Sequence, residues 1–351
     1  MKRIREKAEA HSHTKPSRLR LFAPLLACMM VFLGCQGPPS APSPGLVSLG
    51  APDMRDLQTR AVQIITDALA DPNPVVRVNA IEVVASTGQI RLMPKVLRLL
   101  ADRFVPVRFA AALAIGDCEY ALGKKFVARL LRHEDHNVVI AASYALAKLG
   151  SPEYAEIYHK TIESKDPTVR ANSALLLGKT GDPNALKILH WALHDRDSDD
   201  KVVFQAAESI AMLGDATIYP KLWTMLISAH WDLRIVGIRA MGALKSRQAK
   251  AALTTMLKDD IPEVRLAAAE QLGKLNDPVG EREVLEIMEG RLIEKLSTAE
   301  ARLRAYVLAA KAIGRICTPR LTRFLPKLLQ SQAPFIRIAA AEAVLNCNAR
   351  K

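Results

Sequence analysis

Asp166-Pro167-Thr168-Val169-Arg170-Ala171-Asn172-Ser173-Ala174-Leu175-Leu176-Leu177-Gly178-Lys179-Thr180-Gly181 is the stretch that decides the fold. A carboxylate stands where a helix N-cap belongs, and a proline follows at the first helical position, where its missing N–H costs nothing. An aliphatic–arginine pair then opens a run of Ala and Leu. Gly178 sits inside that run, where Gly costs roughly 1 kcal/mol relative to Ala, so a close helix contact must offset it. Gly181 suits a left-handed helix end.

The same pattern recurs outward from this copy to residue 71 and to the C-terminus. Arg77, Arg108, Arg170, Arg234, Arg265 and Arg337 hold the arginine register, with Val139, Val203 and Tyr306 in the same places elsewhere. The successive spacings are 31, 31, 31, 33, 31, 31, 41 and 31. A near-constant period of this size marks a repeat architecture. Asn73, Asp135, Asp166 and Asp199 fall four residues before the register, as caps. Small residues such as Gly116, Gly178, Gly242 and Gly314 fall eight after it, and Gly88, Gly150, Gly181 and Gly214 eleven after it. Residues 95–100 and 185–193 supply first helices, so each copy reads as a helical hairpin. Nine hairpins stacked 8–10 Å apart predict an arc roughly 80–90 Å long. Each hairpin buries its apolar face only against its neighbours. Copy eight has ten extra residues within 281–301, with Glu281, Glu283, Glu286, Glu289 and Glu294. They read as a longer, acidic helix where the solenoid bends.

These features resemble the HEAT-like repeat family, in the short form of bilin-lyase-related and many bacterial proteins, over about residues 54–348. The resemblance implies an all-α, α-α superhelix of about nine hairpins. It also implies a structural hydrogen-bonded ladder between the turn Asp and the second-helix Arg of neighbouring repeats. That role transfers to Asp166 with Arg170, the copy with both residues in the aligned places. Arg77, Arg108, Arg234, Arg265 and Arg337 are the other ladder positions, and copies three, five and eight should break it. The family implies protein binding. The alternative it offers is a lyase or chaperone acting on a protein-bound cofactor, against which export argues, because bilin attachment is cytoplasmic.

Export is read from the N-terminus. Lys2, Arg3, Arg5, Lys7, Lys15, Arg18 and Arg20 form a basic leader, and residues 21–33 are apolar except for Pro24. Thirteen residues are too few to span a bilayer, which needs about 20, but suit a signal-peptide core. Phe32-Leu33-Gly34-Cys35 resembles a bacterial lipobox, which implies cleavage before Cys35 and acylation of its thiol. Residues 1–34 are therefore expected to be a lipoprotein signal peptide. Residues 35–53, with Pro38, Pro39, Pro42, Pro44 and Pro52, are expected to be the lipidated cysteine and a flexible tether, and 54–351 the solenoid. Gln36 in place of Asp favours an outer-membrane destination facing the periplasm if the host has two membranes. The leader carries seven Lys or Arg against Glu6 and Glu9, a net +5 of the chain's +13. The remaining +8 is a mildly basic surface, and no nucleic-acid partner is expected.

No Ser–His–Asp arrangement, phosphate loop or HExxH is present, so the chain reads as a non-enzyme without a cofactor. His159, Glu163, His190 and His194 occupy equivalent places on successive first helices and are the candidate ligands if a metal were bound. The reading preferred is a polar edge with no metal. Trp191, Tyr219, Trp223 and Trp231 crowd the middle third and form a candidate partner patch, since aromatics are enriched in binding hot spots. Arg91, Lys95, Arg98, Lys124, Lys125, Arg129 and Arg132 form a basic cluster on the first helices of copies two and three. Cys317 and Cys347, almost one repeat apart, read as small buried thiols, with a pairing left open.

Overall fold

The computed structural model describes residues 54–349, and every regular element among them is helical. The expected signal peptide, Cys35 and tether lie outside the described residues. The helices run in hairpins: α1 (Met54–Ala68) with α2 (Pro74–Ser86), α3 (Met93–Arg98) with α4 (Val105–Asp117), and α5 (Lys124–Arg129) with α6 (His136–Lys148). Next come α7 (Ile157–Thr161) with α8 (Pro167–Thr180), α9 (Leu186–His194) with α10 (Asp200–Met212), and α11 (Tyr219–Leu226) with α12 (Trp231–Leu244). The last three are α13 (Arg247–Met256) with α14 (Pro262–Lys274), α15 (Glu281–Met288) with α16 (Ala299–Ile316), and the split α17 (Pro319–Thr322) and α18 (Leu325–Leu328) with α19 (Pro334–Ala349). This is the all-α superhelix that the period demands.

Each hairpin turn is held by the same few groups. Asn73, Asp135, Asp166 and Asp199 accept backbone N–H bonds at the starts of their helices, as expected of caps. The register arginine reaches back over the turn. Arg77, Arg108, Arg234, Arg265 and Arg337 each donate from Nη1 to the carbonyl six residues earlier, at 2.6–3.0 Å. The expected ladder has a different partner from the one the resemblance supplied. Asp166 caps α8 through Thr168 N at 2.7 Å, while Arg170 pairs forward with Asp195 at 2.7 Å. Arg77–Asp102 and Arg234–Asp259 repeat that offset of 25 residues at 2.8 and 2.9 Å. A rung therefore needs the Asp of the following turn. Twenty-five residues after Arg108 stands His133, and after Arg265 stands Gly290, so no rung forms there. In copy eight, which lacks the arginine at Tyr306, Arg302 takes over the turn by donating to Leu296 O at 2.7 Å.

The second helices pack side by side, and the small residues set their approach. A Cβ on Gly178 would lie 2.7 Å from Ser209 Cβ, and one on Gly314 2.6 Å from Ala343 Cα. Gly178→Leu is thus expected to overpack the α8–α10 contact and cost about 1–3 kcal/mol. Urea unfolding checks this, and a midpoint equal to the parent's would refute the contact. Eleven residues after the register the backbone turns left-handed in every copy but the last. Glycine serves at Gly88, Gly150, Gly181 and Gly214, and Glu119, Lys245, Asn276 and Cys317 adopt the same conformation.

The arc expected from stacking does not stay open. α2, α4, α6, α8, α10, α12, α14, α16 and α19 succeed one another, and α19 then packs on both α1 and α2. Asn348 Nδ2 donates to Gln58 Oε1 at 2.9 Å across this seam. Leu57, Ala61, Ile65 and Ala68 form the buried stripe of α1, spaced by three and four residues on one helical face. The ends meet, so the nine inner helices form a closed ring. At 8–10 Å per helix its axes lie on a circle roughly 25–30 Å across.

Two further expectations are corrected near the C-terminus. The extra residues of copy eight do not lengthen an acidic helix: α15 has 8 residues, and the insertion forms a loop with a short 3-10 turn at Ile293–Lys295. The remainder extends α16 to 18 residues. Cys317 and Cys347 are not free thiols but a disulfide, with Cα atoms 5.4 Å apart. Left-handed Cys317 ends α16 and turns its side chain toward α19. Closing a loop of 30 residues stabilises the last two repeats by roughly 3–4 kcal/mol.

Candidate functional site

Helical period decides what faces the middle of the ring. Five residues after the register the inner helices carry Glu82, Glu208, Arg239, Glu270, Lys311 and Glu342, with Leu113, Tyr144 and Leu175 on the opposite arc. Most of these side chains, with those one turn above and below, enclose a cavity of about 510 Å³. Trp231, Val236, Leu308, Phe335 and Ile338 line it nearer the helix N-termini, and Asp117, Lys179, Lys274 and Arg315 nearer the C-termini. Arg304 and Asp232 share the level of the apolar residues, and the next two levels are charged.

The charges are arranged in pairs. Lys179 meets Asp117 at 2.9 Å, Lys274 meets Glu270 at 2.9 Å, and Arg315 meets Glu342 at 3.0 Å. Arg239 meets Glu208 at 3.5 Å and Arg304 meets Glu263 at 3.3 Å. Tyr144 donates to Asp117 at 2.6 Å, and Lys179 sits over its ring. Burial, the Asp117 charge and that hydrogen bond all push the Tyr144 phenol up.

The carboxylates are tuned apart. Burial works against the charge of Glu270, but Lys274, Lys311 and Arg315 outweigh it and bring its pKa down to about 2. That group adds stability above its ordinary value of 4.5, and the contribution is lost as pH falls toward 2. Glu82 moves the other way, to about 7, because burial outweighs the attraction of Lys311. Its contribution is present below 4.5 and is lost as pH rises through 7.

The expected aromatic patch is divided. Trp191 and Trp223 stand on the outer helices α9 and α11, 42% and 37% exposed, with Ile227 at 64% four residues after Trp223. Tyr219 stacks on Trp223 at 6.4 Å, and Trp191 covers the Arg170 guanidinium at 5.6 Å. Trp231 instead lines the inner chamber, under Arg304 at 5.2 Å. His159, Glu163, His190 and His194 do not assemble into a metal site, and no group of three ligand-type side chains occurs among the described residues. His190 Nε2 is bonded to Asp215 at 2.8 Å, holding that carboxyl below its usual range, and His194 Nδ1 meets the His190 carbonyl. The basic cluster stays on outer helices, where Lys125 and Arg129 flank the Phe126 ring. Of the chamber residues only Trp231 stands out in the sequence motifs. The charged ones have a sequence signal of their own, a charged residue recurring five places after the register inside apolar runs.

A family model of HEAT repeats matches residues 156–232 and 219–306. Among curated proteins no sequence matches significantly. Among solved structures the chain is similar to human deoxyhypusine hydroxylase in complex with glycerol, at 14% identity over 76% of this chain and 99% of that one, with a TM-score of 0.37. It is similar to the CpcE–CpcF complex of phycocyanin lyase from Nostoc sp. PCC7120, at 17% identity over 63% and 94%, with a TM-score of 0.37. Kap121p matches at 16% identity over 82% of this chain and 37% of its own, with a TM-score of 0.32.

Proposed function

We propose that the chain is an exported, lipid-anchored ring of HEAT-type repeats that holds a protein partner in the cell envelope. The observation that carries partner binding is the pair of exposed tryptophans on consecutive outer helices, Trp191 on α9 and Trp223 on α11, the latter stacked on half-buried Tyr219. Large aromatics left in water on neighbouring helices supply anchors of the kind that dominate binding energy. Export is supported by the leader and the Gly34-Cys35 junction. The Cys317–Cys347 disulfide supports it independently, since structural disulfides persist in oxidising compartments. Among the described residues no helix is long and apolar enough to cross a membrane, and in this reading Cys35 supplies the attachment. The outer membrane is the favoured destination where the host has two.

The test uses the full chain in its host. Cys35→Ala is expected to leave uncleaved, unacylated precursor. Normal processing of that variant ends the lipoprotein reading. Crosslinking from membranes should capture a partner, and Trp191→Ala with Trp223→Ala should each weaken capture while circular dichroism stays at the parent level. Capture of equal strength by both folded variants would move the partner surface elsewhere.

A further inference from the structure

The outer face of hairpins two and three is built from cations that the protein leaves without counter-ions. Arg91, Lys95 and Arg98 recur at spacings of four and three along α3 and the turn before it. Lys125, Arg129 and Arg132 do the same along α5 and the turn after it. Those spacings set each trio on one helical face. All but half-buried Lys95 are exposed, and among the described residues no carboxylate pairs with any of the six. The acids within residues 89–133 are all held elsewhere: Asp102 by Arg77, Asp117 by Lys179, and Glu119 by Lys148 at 3.6 Å. Lys124 adds a further exposed cation, and its one hydrogen bond, to the Leu149 carbonyl at 3.0 Å, leaves its charge in place.

The pattern has borders. Arg98 and Arg129 hold equivalent places, 31 residues apart, on neighbouring outer helices. The same register puts Asp67 on α1 and, around α7, sets Glu153, Glu156 and Glu163 where Leu122, Lys125 and Arg132 stand one copy earlier. Further round the ring, α15 carries Glu281, Glu283 and Glu286 against Arg282. A ring charged positively on one arc and negatively on others turns the positive arc toward an anionic surface.

Apolar side chains stand among the cations. Ile90 and Leu122 occupy the short turns before α3 and α5 and are 46% and 70% exposed, and Phe104 is exposed beyond the other end of α3. An open groove of about 590 Å³ between α3 and the α1–α2 turn is bordered by Lys95, Arg98 and Arg103. Its two acids are committed, Asp71 to Asn73 N at 2.8 Å and Asp102 to Arg77. A protein partner meets such cations with carboxylates at a few matching points. An anionic bilayer meets the whole face with phosphates and also takes up aliphatic tips beneath its headgroups.

We propose that the outer face of hairpins two and three docks on an anionic phospholipid surface. Arg91, Arg98, Lys125, Arg129 and Arg132 lie among the headgroup phosphates, with Ile90 and Leu122 below them. The proposal rests on the lipid-anchored reading for what brings the ring to the membrane. Residues 35–53 number 19, a length that reaches at most about 65 Å, and they lead into α1, whose hairpin adjoins that of α3. Trp191 and Trp223 lie three hairpins or more further round and stay clear of the membrane for a partner.

The test uses the full chain as its host makes it, reconstituted on vesicles of phosphatidylcholine with or without phosphatidylglycerol. Acetylation by a succinimidyl ester then reads each lysine. Retention on pure phosphatidylcholine reports the anchor alone. A chain that washes off those vesicles but is protected on phosphatidylglycerol overturns the anchor and supports the docking. Lys124 and Lys125 are expected to react about fivefold or more slowly on the anionic vesicles, since each basic residue near such a surface contributes roughly that factor. Lys221 and Lys258, exposed on other arcs, should be unchanged. About 1 M salt should remove most of the protection, because screening then acts within about 3 Å. Arg98→Glu combined with Arg129→Glu should abolish it with circular dichroism at the parent level. Should that variant fail to fold, Arg98→Gln with Arg129→Gln is expected to lose most of the protection. Equal reactivity on both lipids, equal protection of Lys221 and Lys258, or undiminished protection in the folded variant would each overturn the proposal. So would polyglutamate, at the same concentration of charge, protecting Lys124 and Lys125 as strongly as the anionic vesicles, which would give this face to an acidic protein.

Discussion

Ile65→Asp is expected to open the ring. Ile65 is fully buried on α1, on the stripe that packs on α19 and closes the circle. The substitution removes a buried aliphatic chain and puts a carboxylate with no partner in its place. The two effects together cost about 4 kcal/mol or more. The seam has a replacement for neither loss, because the hydrogen bond from Asn348 to Gln58 lies two turns away along α1. The expected readouts are a lower urea midpoint and a larger radius of gyration by X-ray scattering. Ile65→Val keeps the shape and should cost only about 0.5–1.5 kcal/mol, with the ring closed. Parent-like scattering and stability for Ile65→Asp would show that closure does not rest on α1.

Asp102→Ala is expected to cost about 3–5 kcal/mol, the penalty for removing one partner of a buried ion pair. The pair is two-pronged: Arg77 Nε to Asp102 Oδ2 at 2.8 Å and Nη2 to Oδ1 at 2.9 Å. Both side chains are less than a tenth exposed, at 8% and 9%. Asp102 also accepts from Phe104 N at 2.9 Å, so the substitution also unties the start of α4. Arg77 would keep its bonds to the Asp71 and Pro72 carbonyls but would hold a buried charge without its counter-ion. Replacing Arg77 and Asp102 together by Leu should recover much of the loss. Equilibrium unfolding of the single and double variants checks both statements. A single-variant cost under about 1 kcal/mol would mean that the rung is solvated like a surface pair.

The contrast between rung and cap shows how far sequence reading carries. The period, the hairpins and the caps were legible because each depends on residues within one turn or one helix. Asp135, Asp166 and Asp199 are found as caps because the acceptor and its N–H donors are two or three residues apart. The close-contact glycines were legible through their cost, which recurrence had to offset. The ladder partner was misplaced because a guanidinium can reach either its own turn or the next, and only stacking decides which. Copy eight was misread for a related reason. Ten inserted residues can lengthen a first helix, a loop or a second helix, and the choice is made by where Arg302 can recapture a turn carbonyl.

By itself the sequence determined an all-α stack of nine hairpins, with its register, its turn chemistry and its buried Ala-rich inner helices. These follow from the 3.6-residue helical period and from hairpins that cannot bury their apolar faces alone. Only the tertiary structure decided that the stack closes. A small rotation at each step, added over nine repeats, either misses the first hairpin or meets it, and no local pattern encodes that sum. Closure in turn decided the site. It turned one face of nine separate helices into the wall of a single chamber, and so brought Glu82 within the field of Lys311, Arg239 and Lys179 from far along the chain. The disulfide belongs with these. Thirty residues of separation left Cys317 and Cys347 free to pair or not, and the packing of α19 on α16 set them 5.4 Å apart at their Cα atoms.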